Sequence, residues 1–444
     1  MNVRAFRRLA VLAALFATAW FIARVLRPRN VEPAPQLTVA ASRLDALYQL
    51  GEPVIFQIKA LPDAGLAPNT EVLWTINKDG APPIQSGRAA LADGAMAVNA
   101  QLDEPGFLLC EAVVTAGANP VVALAGAGVA PRKIAPSMPM PDDFAAFWEA
   151  QKQRLAAIPP SATLTPANSG ESKVAAFDVR VEALGAPVSG YLARPLDAPP
   201  KSLPIILLVH SAGVYDANLS AAISWAEKGF LAMDINAHGI PNGRRAGFYR
   251  DLGAGALKDY QLAGRDVRES SYFLGMFLRL VRAIDFLCGQ PEWDGRSLIV
   301  HGASQGGFQA FAAAALDKRV TFFAAGVPGG CDHSGMVAGR ITGWPRLVPM
   351  HAGVPDAKIL KTARYFDAVN FAAQTNAKGA IITVGFLDRL CPPTTVYAAF
   401  NALPINDKRI YDAVRTGHDN SPGATDAIHE AIREHVESQA GAPK

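Results

Sequence analysis

Hydrophobic and polar residues alternate in short runs between residues 37 and 129, and turn residues separate these runs. Three clear runs lie at residues 54–58, 72–76 and 107–113. Alternation with a period of two is typical of strands that bury one face, and short strands at this spacing predict an antiparallel β-sandwich. We therefore expect residues 37–130 to form a small accessory β-sandwich domain, and we favour a packing role for it over carbohydrate binding.

A different pattern begins near residue 175, where continuous apolar strands alternate with helices. The predicted strands lie at residues 204–209, 230–235, 298–301, 324–327, 380–384 and 409–414. The predicted helices lie at residues 219–228, 272–288, 306–316 and 424–438, after an earlier amphipathic helix with Asp142 or Asp143 as its N-cap. Strands without a polar face are buried on both sides, so residues 140–444 are predicted to form a mostly parallel α/β sheet with helices on both faces.

The first thirty residues carry an apolar run at residues 9–23 with arginines on both sides. The run is shorter than the roughly 20 residues that a membrane-spanning helix requires. Its basic flank and the triplet Ala17-Thr18-Ala19 are typical of a secretory signal, whereas the arginines after it fit an uncleaved membrane anchor equally well. Residues 1–36 are therefore expected to be an export signal or anchor plus a linker. The protein would then be periplasmic or secreted, or attached to the inner membrane through residues 9–23.

Composition narrows the range of partners. Half of the residues are hydrophobic and 18% are charged, which supplies a large core, and a net charge of +3 gives no basic footprint for nucleic acid. The four cysteines are scattered, without a CxxC pair or a Cys/His cluster at zinc-ligand spacing. We therefore expect neither a nucleic-acid partner nor a metal, and a single disulfide stays open.

The strand at residues 298–301 runs directly into Gly302-Ala303-Ser304-Gln305-Gly306 and then into an alanine-rich helix. A strand, a tight turn and a helix in this order are the setting of a nucleophile elbow, in which the serine lies on a strained turn. Small neighbours such as Gly302 and Gly306 leave room for the backbone to double back. The start of the helix favours a developing oxyanion, so Ser304 is the predicted nucleophile.

A serine hydroxyl needs a histidine to accept its proton and an acid to orient that histidine. In this fold the chain order is serine, acid, histidine. Asp388 is the one aspartate after Ser304 that lies just past the end of a clear buried strand. His418 lies in the loop after the last strand, whereas His429 and His435 fall in the terminal helix. The predicted triad is therefore Ser304, Asp388 and His418.

The oxyanion hole requires two converging donors. The backbone N–H of Gln305, directly after the nucleophile, is the first. The second is expected from the loop after residue 209, where Ala212 is favoured and Ser211 is the alternative. His210 and His238 are predicted to order loops rather than to act as bases.

The region from residue 141 to residue 435 resembles the acetylxylan esterase/cephalosporin-C deacetylase family, which is carbohydrate esterase family 7 of the α/β-hydrolase superfamily. The resemblance rests on residues 142–148, 304–307, 365–370 and 385–395, and the segment with Asp388 and Cys391-Pro392-Pro393 is the most specific. It implies a serine esterase that removes acetyl groups from sugars or xylo-oligosaccharides without a cofactor. A homo-oligomer is a further expectation from the family.

Two segments depart from the family pattern. His210-Ser211-Ala212 stands where the family has His-Gly-Tyr, and residues 236–239 replace a segment that contains an arginine. The resemblance therefore supports deacetylation as a class and leaves the particular acyl and sugar groups open.

Three other functions stay open. A serine peptidase of the prolyl oligopeptidase type shares the triad order, but its propeller cannot be built from about 90 residues. A dienelactone hydrolase-like enzyme is a second alternative. A binding protein on an inactive hydrolase fold is the third, and it is disfavoured because all three triad residue types are present in the required order.

Overall fold

A computed structural model describes residues 37–440 except residues 62–65, 67–68 and 117–118. The predicted export signal or anchor at residues 1–36 therefore lies outside the described residues. Within the described part of the chain, no helix is both long and apolar enough to cross a membrane. Export, cleavage and membrane attachment stay predictions.

The N-terminal region is built from β-strands, as the alternating pattern predicts. The strands are β1 (Leu37–Ala41), β2 (Leu47–Tyr48), β3 (Val54–Ala60), β4 (Glu71–Lys78), β5 (Pro83–Ala90), β6 (Ala95–Ala100), β7 (Gly106–Ala116) and β8 (Asn119–Val129). They form one sheet in the order β1-β3-β6 and another in the order β2-β8-β7-β4-β5. In β3, Val54, Phe56 and Ile58 are buried while the residues between them are exposed, so the period of two does mark one inward face.

A nine-stranded sheet forms the remainder of the molecule. Its strands are β9 (Ala162–Ala167), β10 (Val174–Val181), β11 (Val188–Pro195), β12 (Leu203–Val209), β13 (Leu231–Ile235), β14 (Trp293–Ala303), β15 (Phe322–Gly326), β18 (Gly379–Gly385) and β19 (Asp407–Ala413). A separate short hairpin consists of β16 (Met350–His351) and β17 (Val354–Pro355). The order of the large sheet is β19-β18-β15-β14-β12-β13-β11-β10-β9. The six strands from β19 to β13 pair in parallel, and β11, β10 and β9 extend the sheet antiparallel.

Helices cover both faces of this sheet. They are α1 (Phe144–Ala156), α2 (Leu219–Glu227), α3 (Ala246–Ala254), α4 (Tyr272–Cys288), α5 (Gln305–Leu316), α6 (Ala357–Ala363), α7 (Ala368–Ala373), α8 (Pro393–Ala402) and α9 (Pro422–Ala440). Ile206 and Leu208 of β12 pack with Trp225 of α2 and Ile428 of α9. Leu207, between them in sequence, belongs to the cluster on the opposite face with α4 and α5. The predicted α/β-hydrolase fold is therefore confirmed.

Two parts of the fold differ from the sequence prediction. The antiparallel strands β9 to β11 lie where no strand was expected, because β9 is almost entirely exposed and has no apolar pattern to read. Asp143 precedes α1, but its side chain does not cap the helix. The carboxylate instead accepts hydrogen bonds from Arg268 and from the hydroxyl of Tyr365.

The N-terminal strands pack directly against the loop that follows β18. The Phe107 ring lies edge-on to Phe386, with ring centres 5.0 Å apart. Asp79, at the end of β4, accepts a hydrogen bond from the hydroxyl of Thr394 at the start of α8. The β-rich region therefore supports a loop at the carboxyl edge of the catalytic sheet, and the division of the chain into separate domains stays a prediction.

Candidate active site

Ser304 lies between β14 and α5, at the carboxyl edge of the parallel strands. Its backbone has φ 57° and ψ −117°, which is a conformation that a residue with a Cβ rarely adopts. The Ser304 carbonyl accepts hydrogen bonds from the N–H groups of Phe308 and Gly329, and its own N–H donates to Gly326. These three backbone contacts hold the strained turn, which is what the predicted nucleophile elbow requires.

The glycines beside Ser304 are required by close packing. A Cβ added at Gly302 would lie 2.5 Å from the carbonyl oxygen of Val209, and one added at Gly306 would lie 2.4 Å from the same oxygen. Gly307 packs against Pro328, where an added Cβ would approach to 2.8 Å. The motif is therefore small because β12 and the loop after β15 both reach the turn.

The structure brings Ser304, His418 and Asp388 into one chain of hydrogen bonds. His418 Nε2 lies 2.8 Å from Ser304 Oγ, and His418 Nδ1 lies 2.7 Å from Asp388 Oδ2. The other carboxylate oxygen, Asp388 Oδ1, accepts the N–H groups of Leu390 and Cys391, both at 2.8 Å. An ionised Asp388 accepts the Nδ1 proton, so His418 presents an unprotonated Nε2 to the serine hydroxyl.

Exposure differs across this group. The Asp388 side chain is 1% exposed, whereas the His418 side chain is 23% exposed. The acid is therefore shielded from water, while the imidazole borders the entrance to the site.

The loop that carries His418 is held against two strands by glycines. A Cβ added at Gly385, the last residue of β18, would lie 2.2 Å from the carbonyl oxygen of Gly417. Farther along the loop, the Asn420 amide packs on Gly326, and its oxygen accepts a 2.6 Å hydrogen bond from Thr383. Both contacts fix the backbone on either side of His418, which sets the height of the imidazole above the sheet.

The loop after β12, at residues 210–213, has its carbonyl groups held by side chains. The His210 carbonyl accepts from Gln309, at 2.9 Å. The Ser211 carbonyl accepts from the hydroxyl of Tyr215 at 2.9 Å and from the Gln305 amide at 3.4 Å. Among the described residues, the N–H of Ala212 has no hydrogen-bond partner, so it is free to bind a ligand.

Two hydrogen-bonded chains converge on Gly213, the last residue of this loop. His238 Nε2 lies 2.8 Å from the Gly213 carbonyl, and His238 Nδ1 lies 2.7 Å from the Tyr272 hydroxyl. The Gly213 N–H donates to the Tyr260 hydroxyl, which itself donates to Gln305 at 2.6 Å. His238 thus orders the loop, as its position after β13 suggested.

Burial keeps His238 neutral. Its surroundings lower the pKa of the imidazole to about 4, mainly because burial disfavours the charged form, and the nearby Arg279 acts in the same direction. Since a carbonyl only accepts, Nε2 carries the proton and Nδ1 accepts from Tyr272. One tautomer therefore satisfies both contacts.

The other histidines named from the sequence lie outside the triad. His210 Nε2 lies 2.6 Å from Asp234, which joins the ends of β12 and β13. His429 packs edge-on against Trp225, and His435 bonds the Thr321 hydroxyl. These contacts are structural, as expected for His210 and for the two histidines of the terminal helix.

One group in the described part of the chain has the residue types of a metal site. Asp388, Cys391 and His418 offer ligand atoms that all lie within 4.8 Å of one another. The carboxylate and the imidazole already form the 2.7 Å contact with each other, so a cation there would compete with it. The expectation of a metal-free site stays a prediction.

Sequence reasoning missed the tyrosines and the Gln305 side chain that support the oxyanion loop. Tyr260 lies 45 residues before Gln305 in the chain, and Tyr272 lies 34 residues after His238. Tyr215, five residues after His210, is close in sequence but has no motif around it. No spacing rule relates such pairs, so only the presence of His238 and Gln305 near recognised motifs gave any signal.

Comparison with known proteins agrees with this geometry. A family model described as acetyl xylan esterase (AXE1) matches residues 132–430. The acetyl esterase Axe7A of Xylanibacter ruminicola is 28% identical over 367 residues, which are 81% of this chain and 81% of that protein.

Solved structures give the same result. An acetyl xylan esterase from Paenibacillus sp. R4 matches with a TM-score of 0.59 and 25% identity, over 68% of this chain and 98% of that one. Acetyl xylan esterase 1 from Thermoanaerobacterium sp. JW/SL YS485 shares the fold, with a TM-score of 0.58 at 21% identity over 69% of this chain and 97% of that one. Because the family match covers more than half of the residues, the chain belongs to the acetyl xylan esterase family, whose members are hydrolases of the esterase type.

Proposed function

We propose that this protein removes acetyl groups from acetylated carbohydrates through an acyl-serine intermediate on Ser304. The observation that carries the proposal is the continuous contact from Ser304 through His418 to Asp388, with heavy-atom distances of 2.8 and 2.7 Å. Both distances are short enough for proton transfer in a serine esterase. Membership of the acetyl xylan esterase family and similarity to an acetyl esterase support the acetyl group as the acyl part.

In the first half of the reaction, His418 Nε2 accepts the proton of the Ser304 hydroxyl as Oγ attacks the acetyl carbonyl carbon. Asp388 holds the Nδ1–H and stabilises the imidazolium that forms. The tetrahedral intermediate collapses when the carbon–oxygen bond to the sugar breaks, and His418 returns the proton to the sugar oxygen. The products of this half are a free sugar hydroxyl and an acetylated Ser304.

In the second half, water attacks the acetyl-serine carbonyl and gives a proton to His418. The intermediate releases acetate, and the imidazole returns the proton to Ser304 Oγ. All atoms of the ester and of one water are accounted for, so the cycle needs no cofactor.

Peptide geometry supports the two expected oxyanion donors. In a trans peptide the N–H points away from the preceding carbonyl. The Ser304 carbonyl is turned toward Phe308 and Gly329, so the Gln305 N–H points the opposite way, out of the helix start. The Ser211 carbonyl is held by Tyr215 and Gln305 side-chain groups, which leaves the Ala212 N–H free on the other side. We assign Gln305 and Ala212 as the donors.

The experiment is replacement of Ser304 by alanine, with release of acetate from acetylated xylo-oligosaccharides and of p-nitrophenol from its acetate as readouts. We expect kcat to fall by about 10⁴-fold or more, because alanine cannot form the acyl intermediate. Ser86→Ala, an exposed serine in β5, is the matched control and should keep full activity. Unchanged turnover in Ser304→Ala refutes the proposal, and faster cleavage of a butyrate ester or a peptide amide than of acetate refutes the deacetylase part.

The natural substrate requires a panel of acetyl esters. We propose acetylated xylan fragments as the preferred class, on the strength of the names of the relatives, and cephalosporin C as the secondary substrate that family membership suggests. Activity that is higher on cephalosporin C than on every acetylated sugar would reverse this order.

Export is a separate proposal that rests on residues 9–23 and their flanking arginines. Fractionation of cells that express the full chain, with sequencing of the mature N-terminus, distinguishes a cleaved signal from a retained anchor. A protein found only in the cytoplasm with an intact N-terminus would overturn it. Homo-oligomer formation is likewise proposed from the family alone and is tested by light scattering.

A further inference from the structure

One aromatic residue stands apart from all others that the structure describes. Tyr215 is 36% exposed, and every other described phenylalanine, tyrosine and tryptophan is buried or half-buried. It lies in the segment that connects β12 to α2, four residues after Ser211. The exposed aromatic of this molecule is therefore located beside the predicted oxyanion loop.

Three contacts hold the Tyr215 ring in one orientation. The ring stacks on the imidazole of His210, with centres 4.7 Å apart and planes at 16°. Its hydroxyl donates a 2.9 Å hydrogen bond to the Ser211 carbonyl. A Cβ added at Gly213 would lie 2.8 Å from Tyr215 Cε1, so the ring folds back over a residue that has no side chain. Because His210 covers one face, the exposed surface of the ring belongs to the opposite face.

That ring borders a polar cavity of about 520–560 Å³, printed as 560 Å³, which is large enough for a small ligand. Its lining residues include Tyr191, Asp216, Asn218 and Ser220. The cavity also reaches Ser211, whose hydroxyl donates to the carbonyl of Ala303, the residue before the nucleophile. The cavity is therefore directly next to the reacting atoms.

This combination matches the chemistry of a sugar. A pyranose has flat C–H faces that pack on an aromatic ring and a rim of hydroxyls that bond carboxylate, amide and hydroxyl groups. A rigid ring loses little conformational entropy when it binds, which favours stacking. We infer that Tyr215 is the stacking platform for a sugar residue of the substrate, with Asp216, Asn218 and Ser220 facing its hydroxyls. The inference rests on the proposed deacetylase function and names the subsite that selects carbohydrate.

The platform also accounts for a departure seen in the sequence. His210-Ser211-Ala212 has no aromatic residue at the position where the resembling family has tyrosine. In the structure, Tyr215 places an aromatic ring over the same loop from a few residues farther along the chain.

The first test compares two substrates in Tyr215→Ala, Tyr215→Phe and Tyr215→Trp. The readout is kcat/KM for acetylated xylo-oligosaccharides divided by kcat/KM for p-nitrophenyl acetate, which has no sugar. We expect the alanine variant to lower this ratio by about tenfold, through KM, because stacking is lost. The phenylalanine and tryptophan variants keep a ring and should stay within about twofold of the parent ratio. Leu196→Ala, which removes a side chain that is 53% exposed just after β11, is the control.

Two outcomes overturn the inference. An equal loss on both substrates would mean that Tyr215 acts only by holding the Ser211 carbonyl. A phenylalanine variant that falls as far as the alanine variant would assign the effect to the hydroxyl rather than to the ring.

A binding measurement separates this inference from the proposed function. Xylotetraose without acetyl groups is titrated into Ser304→Ala, with and without Tyr215→Ala, and binding is followed by calorimetry. We expect binding that weakens by about tenfold when the ring is removed. Equal affinity in both proteins refutes the platform even if Ser304→Ala is inactive. Full esterase activity in Ser304→Ala refutes the proposed function, whatever the sugar affinity.

Discussion

Two loops at the carboxyl edge of the sheet are held in different ways. The loop after β18, which carries Asp388, is held by backbone N–H groups of Leu390 and Cys391 and by packing of Phe386 on the N-terminal region. The loop after β12, which carries Ala212, is held by side chains that bond its carbonyl groups. The first loop depends on backbone shape and close packing, and the second depends on a hydrogen-bonded network.

The difference has a mechanical consequence. Contacts between backbones leave no room for an added atom, so the acid loop should respond sharply to a small steric change. A network of side chains can lose one hydrogen bond and keep the others, so the oxyanion loop should respond gradually. Three experiments test this contrast.

The largest effect is expected for Gly385→Ala at the end of β18. The new Cβ would lie 2.2 Å from the Gly417 carbonyl, next to His418, so the imidazole must move. A displacement of about 1 Å costs roughly 100-fold in kcat, and the overpacking costs about 2–3 kcal/mol of unfolding free energy. Kinetics on p-nitrophenyl acetate and urea unfolding measure the two effects.

Gly417→Ala is the matched control for that experiment. Its nearest neighbour would be the Leu387 carbonyl at 3.7 Å, which is an ordinary contact. If both alanine variants behave alike, close backbone packing is not what holds the acid loop.

The next effect concerns His238 and pH. Burial lowers its pKa from the usual 6.5 to about 4, so between these values the unfolded chain binds a proton that the folded chain does not. Stability therefore falls as pH drops from about 6.5 toward 4, and this histidine contributes a slope of up to about 1.4 kcal/mol per pH unit. We expect His238→Gln to flatten the plot of unfolding free energy against pH over this range. An unchanged slope would show that His238 is not held neutral.

The smallest effect is expected for Tyr272→Phe. The variant removes the hydroxyl that donates to His238 Nδ1 at 2.7 Å and leaves the bond from Nε2 to Gly213. Losing one such hydrogen bond costs about 1 kcal/mol, so kcat should fall by about fivefold while KM changes little. Tyr48→Phe, which loses a hydroxyl contact with Ser42 in the N-terminal region, should have the parent kcat. A loss of 100-fold or more in Tyr272→Phe would show that the oxyanion loop is as brittle as the acid loop.

Much of the acid loop was readable from the sequence. The buried strand at residues 380–384, found in the structure as β18, is continuous and apolar, and Asp388 follows it within a few residues. The strand–turn–helix pattern around Ser304 was equally local, and the structure places His418 against both residues. Patterns of this kind survive because they depend on neighbours in the chain.

The support of the oxyanion loop was not readable. Tyr260 lies in an irregular segment before α4, and Tyr272 reads as an ordinary residue of an apolar helix. Their hydroxyls reach Gly213 and His238 only after α4 has packed on the sheet. The antiparallel strand β9 was missed for a related reason, since an exposed edge strand leaves no hydrophobic pattern.

The sequence by itself determined the class of fold, the family and the three residues that meet as Ser304, Asp388 and His418. These follow from strand and helix periodicity, from glycines at a tight turn and from the order of residues along the chain. Only the tertiary structure decided how the oxyanion loop is supported, that Tyr215 keeps one face open, and that Phe107 of the N-terminal region packs behind the acid loop. Those features join side chains that are distant in sequence, and their contacts exist only once the helices and sheets have packed together.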